Sequence, residues 1–471
     1  MRWLCILFPQ LALDAVLRSR EDANAPLVLL SGPPQRRVLQ AVNESARAQG
    51  LRSGQSLTHA RMLLERFDTV EHDPAQTEHW QQFLASWAYG FSGHVSLDYP
   101  RTLLLEVASS LRLFGPWPEL EQRLRAELQA LGFQHRLVLA PNPLAARVLA
   151  NVAGGLAVDE LALPAELQRL PVARSGLPSE LVESLQRMGL RRLQQVLELP
   201  RDGLAKRFPP QLLAHLDQLQ GHHPLALSCY QPPDRFRQRI EFNFDVESNT
   251  SLLFPLRRLI SDLATFLAGR DCGVQRFALI LEHRRQPASE LPVGLLGAER
   301  DPERLFELAR GRLERIELAA PVQALTLLAE DLPRFVPAAA ELFSNRPQQS
   351  ESQSWLQVCE RLRSRLGDKV VQPLAAVDEH RPERSWLAQE RGDAAARPPG
   401  PRPGWLLAEP ELLNDLFPRV LAGPERIESG WWDGEDVRRD YYLIETRDGR
   451  RAWAFHAAGR PGPFWVHGWF A

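Results

Sequence analysis

Two stretches of the sequence combine residue types and spacings that bind phosphate groups. Gly176 and Gly189 flank an amphipathic helical segment. This is typical of helix-hairpin-helix turns, which present backbone N–H groups to a DNA phosphate without reading the bases. Three arginines alternate along a predicted strand and therefore share one of its faces: Arg235, Arg237 and Arg239. An ordinary helical hairpin and a solvated strand face explain the same patterns, so both alternatives stay open.

The four cysteines follow no metal-binding or disulfide pattern. Cys5, Cys229, Cys272 and Cys359 are far apart, and none of them forms a C-x-x-C pair. This spacing argues against structural zinc and fits reduced thiols. No apolar run reaches the roughly 18 residues that a membrane helix requires. We therefore expect a cytoplasmic protein with no metal site, no cofactor and no membrane contact.

The chain is too long for one hydrophobic core, since its 471 residues exceed the roughly 250–300 that a single core supports. In the first third, short apolar runs such as Leu4–Phe8 and Leu103–Val107 predict strands, and the second run is expected to belong to a strand over 94–107. Leucines at helical spacing predict a helix over 117–131. Mixed strands and helices up to about residue 155 indicate an α/β or α+β domain.

The remaining two thirds change pattern three times. Residues 165–225 have helical periodicity only. Residues 234–332 follow a β-α-β…α-β order, which predicts a four-stranded sheet with two helices on one face. A stretch rich in Pro, Gln, Ser and Ala over 333–404 indicates a linker, and 405–471 has the short runs and turns of a β-rich domain.

Three collinear segments resemble motifs of the Y-family translesion DNA polymerases. Gly50–Ser56 is similar to the family loop G-v-R-s-G-M-p, and Leu103–Gly115 to the palm strand Y-L-D-V-T…L-F-G. Pro141–Ala150 is similar to the motif A-x-N-K-x-L-A-K-x-A-S. Each motif is weak singly, whereas their shared order over about 332 residues makes the resemblance strong.

The resemblance implies a multidomain α+β fold. Its expected parts are a palm and fingers over 1–160, a thumb with the helix-hairpin-helix over 161–230, a DNA-binding βαββαβ little finger over 234–332, a linker over 333–404 and a small β-rich domain over 405–471.

The residues expected to hold catalytic metal depart from the family pattern. Catalysis of this kind resembles other two-metal phosphoryl transfer, in which clustered carboxylates hold two Mg²⁺ about 3.5–4 Å apart. Phe8 and Gln10 stand where the first strand should end in a carboxylate. The acidic pair before the second strand reads Arg101-Thr102, or residues 98–99 if the loop carries an insertion. The resemblance therefore implies a polymerase fold that has lost its catalytic residues and its nucleotidyltransferase activity.

The expected triphosphate site is reduced in the same way. Arg47 matches the arginine of the family's Tyr-x-x-Arg motif, but Glu44 replaces the tyrosine and would repel phosphate. Pro143 replaces the lysine of the third motif. The resemblance therefore implies that Arg47 belongs to a vestigial site.

The tail resembles the C-terminal region of the ImuB family, catalytically silent Y-family relatives found in bacterial damage-induced mutagenesis cassettes. The segments that carry this resemblance are His380–Glu383, Gly423–Gly434, Arg439–Tyr442 and His467–Ala471. The resemblance implies three protein partners, which are the sliding clamp, an error-prone C-family polymerase and the RecA-like protein ImuA. Trp431 and Trp432 are candidate partner-binding residues, and we expect at least one of them to lie in a core.

A clamp-binding peptide is short and extended and ends in a leucine-aromatic pair. The favoured candidate at the head of the linker consists of Ala339, Ala340, Glu341, Leu342 and Phe343, without the usual leading glutamine. Leu416-Phe417 is the alternative, but the preceding Glu411–Leu413 indicates a helix that packs on the tail domain.

Three functions are consistent with the sequence. The favoured one is a non-catalytic scaffold of an SOS-type mutasome that binds primer-template DNA weakly and recruits polymerase partners. The second is an active Y-family polymerase that uses the displaced acids Asp14, Asp98 and Glu106. The third is a damage sensor that binds structured DNA without recruiting a polymerase.

Overall fold

A computed structural model describes residues 2–20, 22, 24–335, 358–359, 362–363, 370–372, 374–388, 401–414 and 417–470. The chain forms two compact units, Met1–Ser352 and Gln353–Ala471. The first unit mixes helices and strands, and the described part of the second consists mainly of strands. This confirms the coarse fold class, whereas the finer division into palm, thumb, little finger and linker stays a prediction.

The first 157 residues hold two sheets and the helices around them. The elements are β1 (Trp3–Leu7), α1 (Leu11–Leu17), β2 (Leu27–Ser31), β3 (Val38–Val42), α2 (Glu44–Ala48), α3 (Leu57–Leu63), β4 (Asp68–Glu71), α4 (Pro74–Tyr89), β5 (Val95–Ser96), β6 (Thr102–Glu106), α5 (Ser110–Phe114), α6 (Trp117–Leu131), β7 (Arg136–Ala140), α7 (Pro143–Ala150) and β8 (Leu156–Ala157). The five-stranded sheet has the order β5-β6-β1-β7-β8, and the three-stranded sheet has the order β3-β2-β4.

Strand β1 is central and buried on both faces. It pairs antiparallel with β6 and with β7, so that Leu7 lies opposite Thr102 and Trp3 lies opposite Glu106. Leu4 packs in the core that includes α4 and α6, whereas Cys5 packs in the core that includes α7. A strand covered on both faces reads as a continuous apolar run, which is what the sequence shows here.

The expectation of one strand over 94–107 is wrong. Residues 97–101 form a turn that separates β5 from β6. Pro100 has no N–H to donate to a sheet, and Arg101 has a φ of +56°, in the left-handed region. The predicted helix over 117–131 is confirmed as α6, whose leucines at 120, 124, 128 and 131 are buried.

The next part of the chain is helical, as the periodicity indicated. Its elements are α8 (Leu163–Arg169), α9 (Ser179–Arg187), α10 (Leu193–Leu197), α11 (Arg201–Arg207) and α12 (Pro210–Gln220). Their apolar faces share one core with α7 and with the Cys5 face of the sheet. The helical part is therefore packed directly on the sheet that carries β1.

The last part of unit 1 is a four-stranded antiparallel sheet with two helices. Its elements are β9 (Phe236–Val246), α13 (Leu253–Gly269), β10 (Val274–His283), β11 (Gln286–Glu299), α14 (Pro302–Leu313) and β12 (Val322–Asp331). The strand order is β11-β10-β12-β9. Helices α13 and α14 contact each other and cover the sheet. The predicted four-stranded sheet with two helices is therefore present.

A buried ion pair joins this sheet-and-helix module to the first part of the chain. Arg18, at the end of α1, donates to both carboxylate oxygens of Asp262 on α13 at 2.5 and 3.3 Å, and both side chains are almost fully buried. Its Nε donates to the Leu131 carbonyl oxygen at 2.6 Å, and the guanidinium lies 4.4 Å from the Trp80 ring centroid. Nearby, the backbones of α4 and α13 touch at Gly90 and Gly269. The two parts consequently share one hydrophobic core.

The second unit is built on a five-stranded antiparallel sheet. Its strands are β13 (Ala375–Ala376), β14 (Trp386–Leu387), β15 (Trp405–Leu412), β16 (Arg419–Ser429), β17 (Val437–Glu445), β18 (Arg451–Ala457) and β19 (Trp465–Trp469), and the large sheet has the order β15-β19-β18-β17-β16. The expected helix at Glu411–Leu413 is wrong, because Glu411 and Leu412 pair with Val466 and Trp465 as part of β15.

We predict that Asp262→Asn lowers the free energy of unfolding by about 3 kcal/mol, because it leaves the buried Arg18 guanidinium without its counter-charge. Urea unfolding followed by fluorescence measures the change. The exposed i,i+4 pair Arg310–Glu314 is the control, and Glu314→Gln should change stability by less than about 1 kcal/mol. Equal effects of the two substitutions would contradict the structural role of the buried pair.

Candidate nucleic-acid interface

The ends of β1 and β6 form the place where the family resemblance implies metal binding. The Phe8 backbone N–H donates to the Arg101 carbonyl oxygen at 2.9 Å and continues the β1–β6 pairing. The Phe8 ring is fully buried and lies edge-on to Phe133, with 6.2 Å between centroids. The Thr102 hydroxyl donates to the Pro100 carbonyl oxygen at 3.1 Å. Neither side chain offers a charged ligand.

Arg101 bridges the two strand ends. Its backbone N–H donates to the Gln81 side-chain oxygen, and its Nη1 donates to the Pro9 carbonyl oxygen, both at 3.1 Å. The residue is exposed and holds a left-handed conformation, which is uncommon for a side chain of this size. These contacts place a positive charge beside the end of β1.

The donor chemistry here does not fit a pair of divalent cations. Mg²⁺ takes oxygen ligands and is bound through carboxylates, whereas these positions supply an aromatic ring, a guanidinium and an engaged hydroxyl. Gln10, the other position where a carboxylate is implied, donates to the Gln134 side chain at 3.0 Å. Among the described residues, no group of three or more His, Cys, Asp or Glu side chains is arranged to hold a metal ion.

The three displaced acids lie in three separate places. Asp14 is buried on α1 and accepts from the Gln134 backbone N–H at 2.8 Å. Asp98 accepts from the Ser228 backbone N–H at 2.8 Å and so anchors the segment that leads into β9. Glu106 lies opposite Trp3, at the far end of β6 from Thr102, a separation of roughly 13 Å along a strand. The structure does not bring these acids together.

Helix α7 adds a second cation near the same loop. Asn142 caps the helix by accepting from the Ala145 N–H at 2.8 Å, and Pro143, buried at its first position, has no charge to offer. One helical turn further, the Arg147 guanidinium lies 3.7 Å from the centroid of the Tyr99 ring. Arg147 lies within the third sequence motif, Pro141–Ala150, but that motif led to a functional prediction only for position 143.

The residues of the triphosphate site that the resemblance implies lie on α2. Arg47 and Glu44 are both exposed, and Arg47 Nη2 donates only weakly to the Val42 carbonyl oxygen at 3.4 Å. Glu44 is the first residue of the helix, which Asn43 caps through the Ala46 N–H. A carboxylate therefore accompanies Arg47 on this short helix.

The glycines of the predicted hairpin both have left-handed backbones, with φ of +79° at Gly176 and +84° at Gly189. A Cβ at Gly189 would meet open space, and one at Gly176 would lie 3.5 Å from Arg147 Nη1. Gly176 therefore connects the hairpin to the α7 cation.

Arg237 and Arg239 lie on the exposed face of β9, whereas Phe236, Gln238 and Ile240 are buried, and the exposed Arg235 directly precedes the strand. Arg239 is bound by two carboxylates, at 2.9 Å to Glu282 and 2.7 Å to Glu241. These contacts raise the pKa of Arg239 and lower that of Glu282, mainly through their mutual hydrogen bonds. The arginines at 235 and 237 have no ion-pair partner among the described residues, so the positive charge of this face is concentrated at one end.

Comparisons with known proteins match residues 13–151 to a family model described as "IMS: impB/mucB/samB family". This match places the similarity to that family in the first third of the chain. Over 460 residues it is 29% identical to Protein ImuB of Caulobacter vibrioides, which covers 89% of this chain and 100% of that protein. It is also 26% identical to DNA polymerase IV of Desulfatibacillum aliphaticivorans over 204 residues, 41% of this chain and 50% of that protein. The resemblance to Y-family polymerases and to ImuB is confirmed.

Solved structures of polymerases are also similar to this chain. A Dbh-Dpo4(243-245)-Dbh polymerase chimera has a TM-score of 0.42 and 15% identity, covering 70% of this chain and 99% of the chimera. DinB from Sulfolobus solfataricus has a TM-score of 0.41 and 15% identity, covering 71% of this chain and 100% of that structure. Among the described residues, no helix is both long and apolar enough to cross a membrane.

The favoured clamp motif, from Ala339 through Glu341 and Leu342 to Phe343, lies outside the described residues. Leu416 of the alternative motif is also outside them. Phe417 is described and 76% exposed, with the Arg447 guanidinium 5.9 Å from its ring centroid. The choice between the two anchors stays a prediction.

The expectation that Trp431 or Trp432 lies in a core is wrong. Their side chains are 75% and 59% exposed, and they contact each other at 5.5 Å between ring centroids. Buried Arg381 fixes the turn that carries them by donating to Asp433 at 2.6 and 3.1 Å, and it also binds Glu379 at 2.7 Å. Arg381 is the main cause that holds the pKa of Glu379 at about 2. The aromatic pair therefore stands exposed on a rigid turn.

We predict a pH-dependent stability that originates at Asp14. Burial raises the pKa of Asp14 to about 7, above its ordinary value near 4. Its stabilising contribution is therefore complete below about pH 4 and is lost as pH rises through 7. Asp14→Asn should match the wild type in urea unfolding at pH 4 and exceed it in stability at pH 8. The exposed Glu78 supplies the control Glu78→Gln, for which a gain of the same size would contradict this assignment.

Proposed function

We propose that this chain is a non-catalytic, polymerase-like scaffold for translesion synthesis after DNA damage. In this proposal it acts in the cytoplasm, holds primer-template DNA weakly and without sequence preference, and recruits the sliding clamp, an error-prone C-family polymerase and ImuA. The single observation that carries the proposal is the side-chain set at the ends of β1 and β6, where a guanidinium and a buried ring take the places implied for carboxylates.

The framework around this place supports the same proposal. Strand β1 keeps its central position, its two buried faces and its antiparallel partners. The acids that an active enzyme would need to recruit are engaged elsewhere, since Asp14 and Asp98 each accept a backbone N–H from a distant segment. The strand framework is intact, and the nearby acids make structural contacts. Such an arrangement suits a binding role better than phosphoryl transfer.

The tail supports recruitment of a protein partner. Trp431 and Trp432 are aromatic, exposed and held on a turn whose buried arginine leaves it little freedom. Exposed aromatic side chains on a rigid support are the type that forms hot spots in protein interfaces. We assign this turn to a protein partner rather than to the fold of the tail itself.

We predict that the purified protein adds no nucleotide to a primer with either Mg²⁺ or Mn²⁺, because the described residues hold no carboxylate cluster that can bind the metal ions that the reaction requires. Gel-based primer extension measures this, with an active Y-family polymerase as the positive control. Incorporation that Asp98→Ala abolishes would reject the scaffold proposal in favour of an active polymerase.

We predict that the double substitution Leu342→Ala with Phe343→Ala abolishes capture of the sliding clamp in a pull-down, because the leucine-aromatic pair fills the apolar pocket of the clamp. Phe417→Ala is the matched control and should leave capture unchanged. The reverse outcome would transfer the anchor to Leu416-Phe417. Binding of structured DNA without capture of the clamp or of a C-family polymerase would instead favour a damage sensor.

A further inference from the structure

We propose that Arg101 and Arg147 form a metal-independent binding site for a backbone phosphate of DNA, beside the strand ends where the family resemblance implies divalent cations. This inference rests on the proposed function, because it names the group that the non-catalytic site holds. In place of two metal ions the site has two guanidinium groups at one loop, residues 97–101: Arg101 lies in the loop, and Arg147 contacts it through Tyr99.

Arg101 has most of its hydrogen-bonding capacity free. A guanidinium carries five N–H donors, and the structure uses one of them on the Pro9 carbonyl oxygen at 3.1 Å. The side chain has no ion-pair partner among the described residues. Its backbone is fixed on both sides, by the Gln81 side chain and by Phe8, so the position of the charge is set in advance. A preorganised exposed cation loses little freedom when an anion binds.

The Arg147 side chain is half-buried and makes no hydrogen bond or ion pair within the described part of the chain. Its contact is the stacking on Tyr99 at 3.7 Å, which leaves the edge of the guanidinium available. A partly desolvated cation without a partner is unfavourable, and an anionic ligand would relieve this. Tyr99 belongs to the same loop as Arg101. One cation therefore lies in that loop, and the other contacts it.

The surroundings favour an anion with a single charge. Asp98 is the acid within the loop, and it accepts from Ser228 and pairs with neither arginine. Gly176, whose hairpin turn is itself a phosphate-binding candidate, lies against Arg147. A DNA strand that contacts the hairpin can therefore present a neighbouring phosphate to Arg147. The two positive charges of the guanidinium groups exceed the single negative charge of one phosphodiester.

A nucleoside triphosphate offers the same phosphate chemistry from a different source. Without metal it carries about four negative charges, which two arginines do not neutralise. Exposed Glu44 stands beside Arg47 at the implied triphosphate position and adds repulsion. We therefore assign the site to a DNA phosphodiester and not to a free nucleotide.

The test is fluorescence anisotropy of a labelled primer-template with the full chain in EDTA, across a series of salt concentrations. Arg101→Ala and Arg147→Gln should each weaken binding about tenfold, since each removes a charge-assisted contact. Each should also reduce the slope of log affinity against log salt by about 0.9. Arg101→Lys should restore part of the loss. Arg112→Ala is the matched control, because Arg112 is equally exposed but lies near the opposite end of β6 and should bind as the wild type.

The possible outcomes separate this site from the proposed function. Wild-type binding in EDTA with unchanged affinity and salt slope in both variants would overturn the site and leave the scaffold proposal standing. Absence of DNA binding by the wild type would overturn the DNA role and the site together. Displacement of DNA by a nucleoside triphosphate, but not by inorganic phosphate at the same ionic strength, would reassign the site to a nucleotide. Circular dichroism and thermal unfolding must show that each variant is folded.

Discussion

The buried pair of Arg18 and Asp262 is the contact on which the arrangement of the first unit depends. A carboxylate that is 1% exposed is tolerated only with a close counter-charge, and here that charge comes from the other end of the unit. Burial acts to raise the pKa of Asp262, and Arg18 opposes this shift. Because a buried ion pair tolerates little displacement, it specifies where α13 lies relative to the end of α1. The exposed arginines of β9 thereby gain a fixed relation to the ends of β1 and β6.

A second constraint explains why an apolar residue suits the end of β1. Strand β1 is buried on both faces, so its apolar residues are required by two cores at once. Phe8, the residue after β1, lies in one of these cores and packs against Phe133. A carboxylate restored at position 8 would be buried among apolar rings, at a considerable desolvation penalty. The phenylalanine at this position is therefore stabilised by packing.

Local patterns predicted most of the elements in the first 332 residues, because apolar periodicity and turn residues are local signals. The α6 leucines and the alternation along β9 are examples. The Arg18–Asp262 pair joins positions 244 residues apart, and no local pattern indicates it. The turn at Arg101 was missed because a left-handed conformation is rare for residues other than glycine. The sequence predicts at least one of Trp431 and Trp432 in a core, but both are exposed on a turn that Arg381, about fifty positions away, holds in place.

The contacts of Arg381 also indicate which residues before the large sheet belong to the folded part of the second unit. Arg381 and Glu379 fall within the predicted linker, yet Arg381 is buried and holds the Asp433 turn, and Glu379 accepts from Ser429 at 3.0 Å. Glu383 binds Arg439 at 3.1 Å on the same sheet. A fragment cut at Trp405, where the large sheet starts, would lose all three ties and release the tryptophan turn. The smallest portion of the tail that can be moved to another protein with its aromatic pair intact must include residues 374–388.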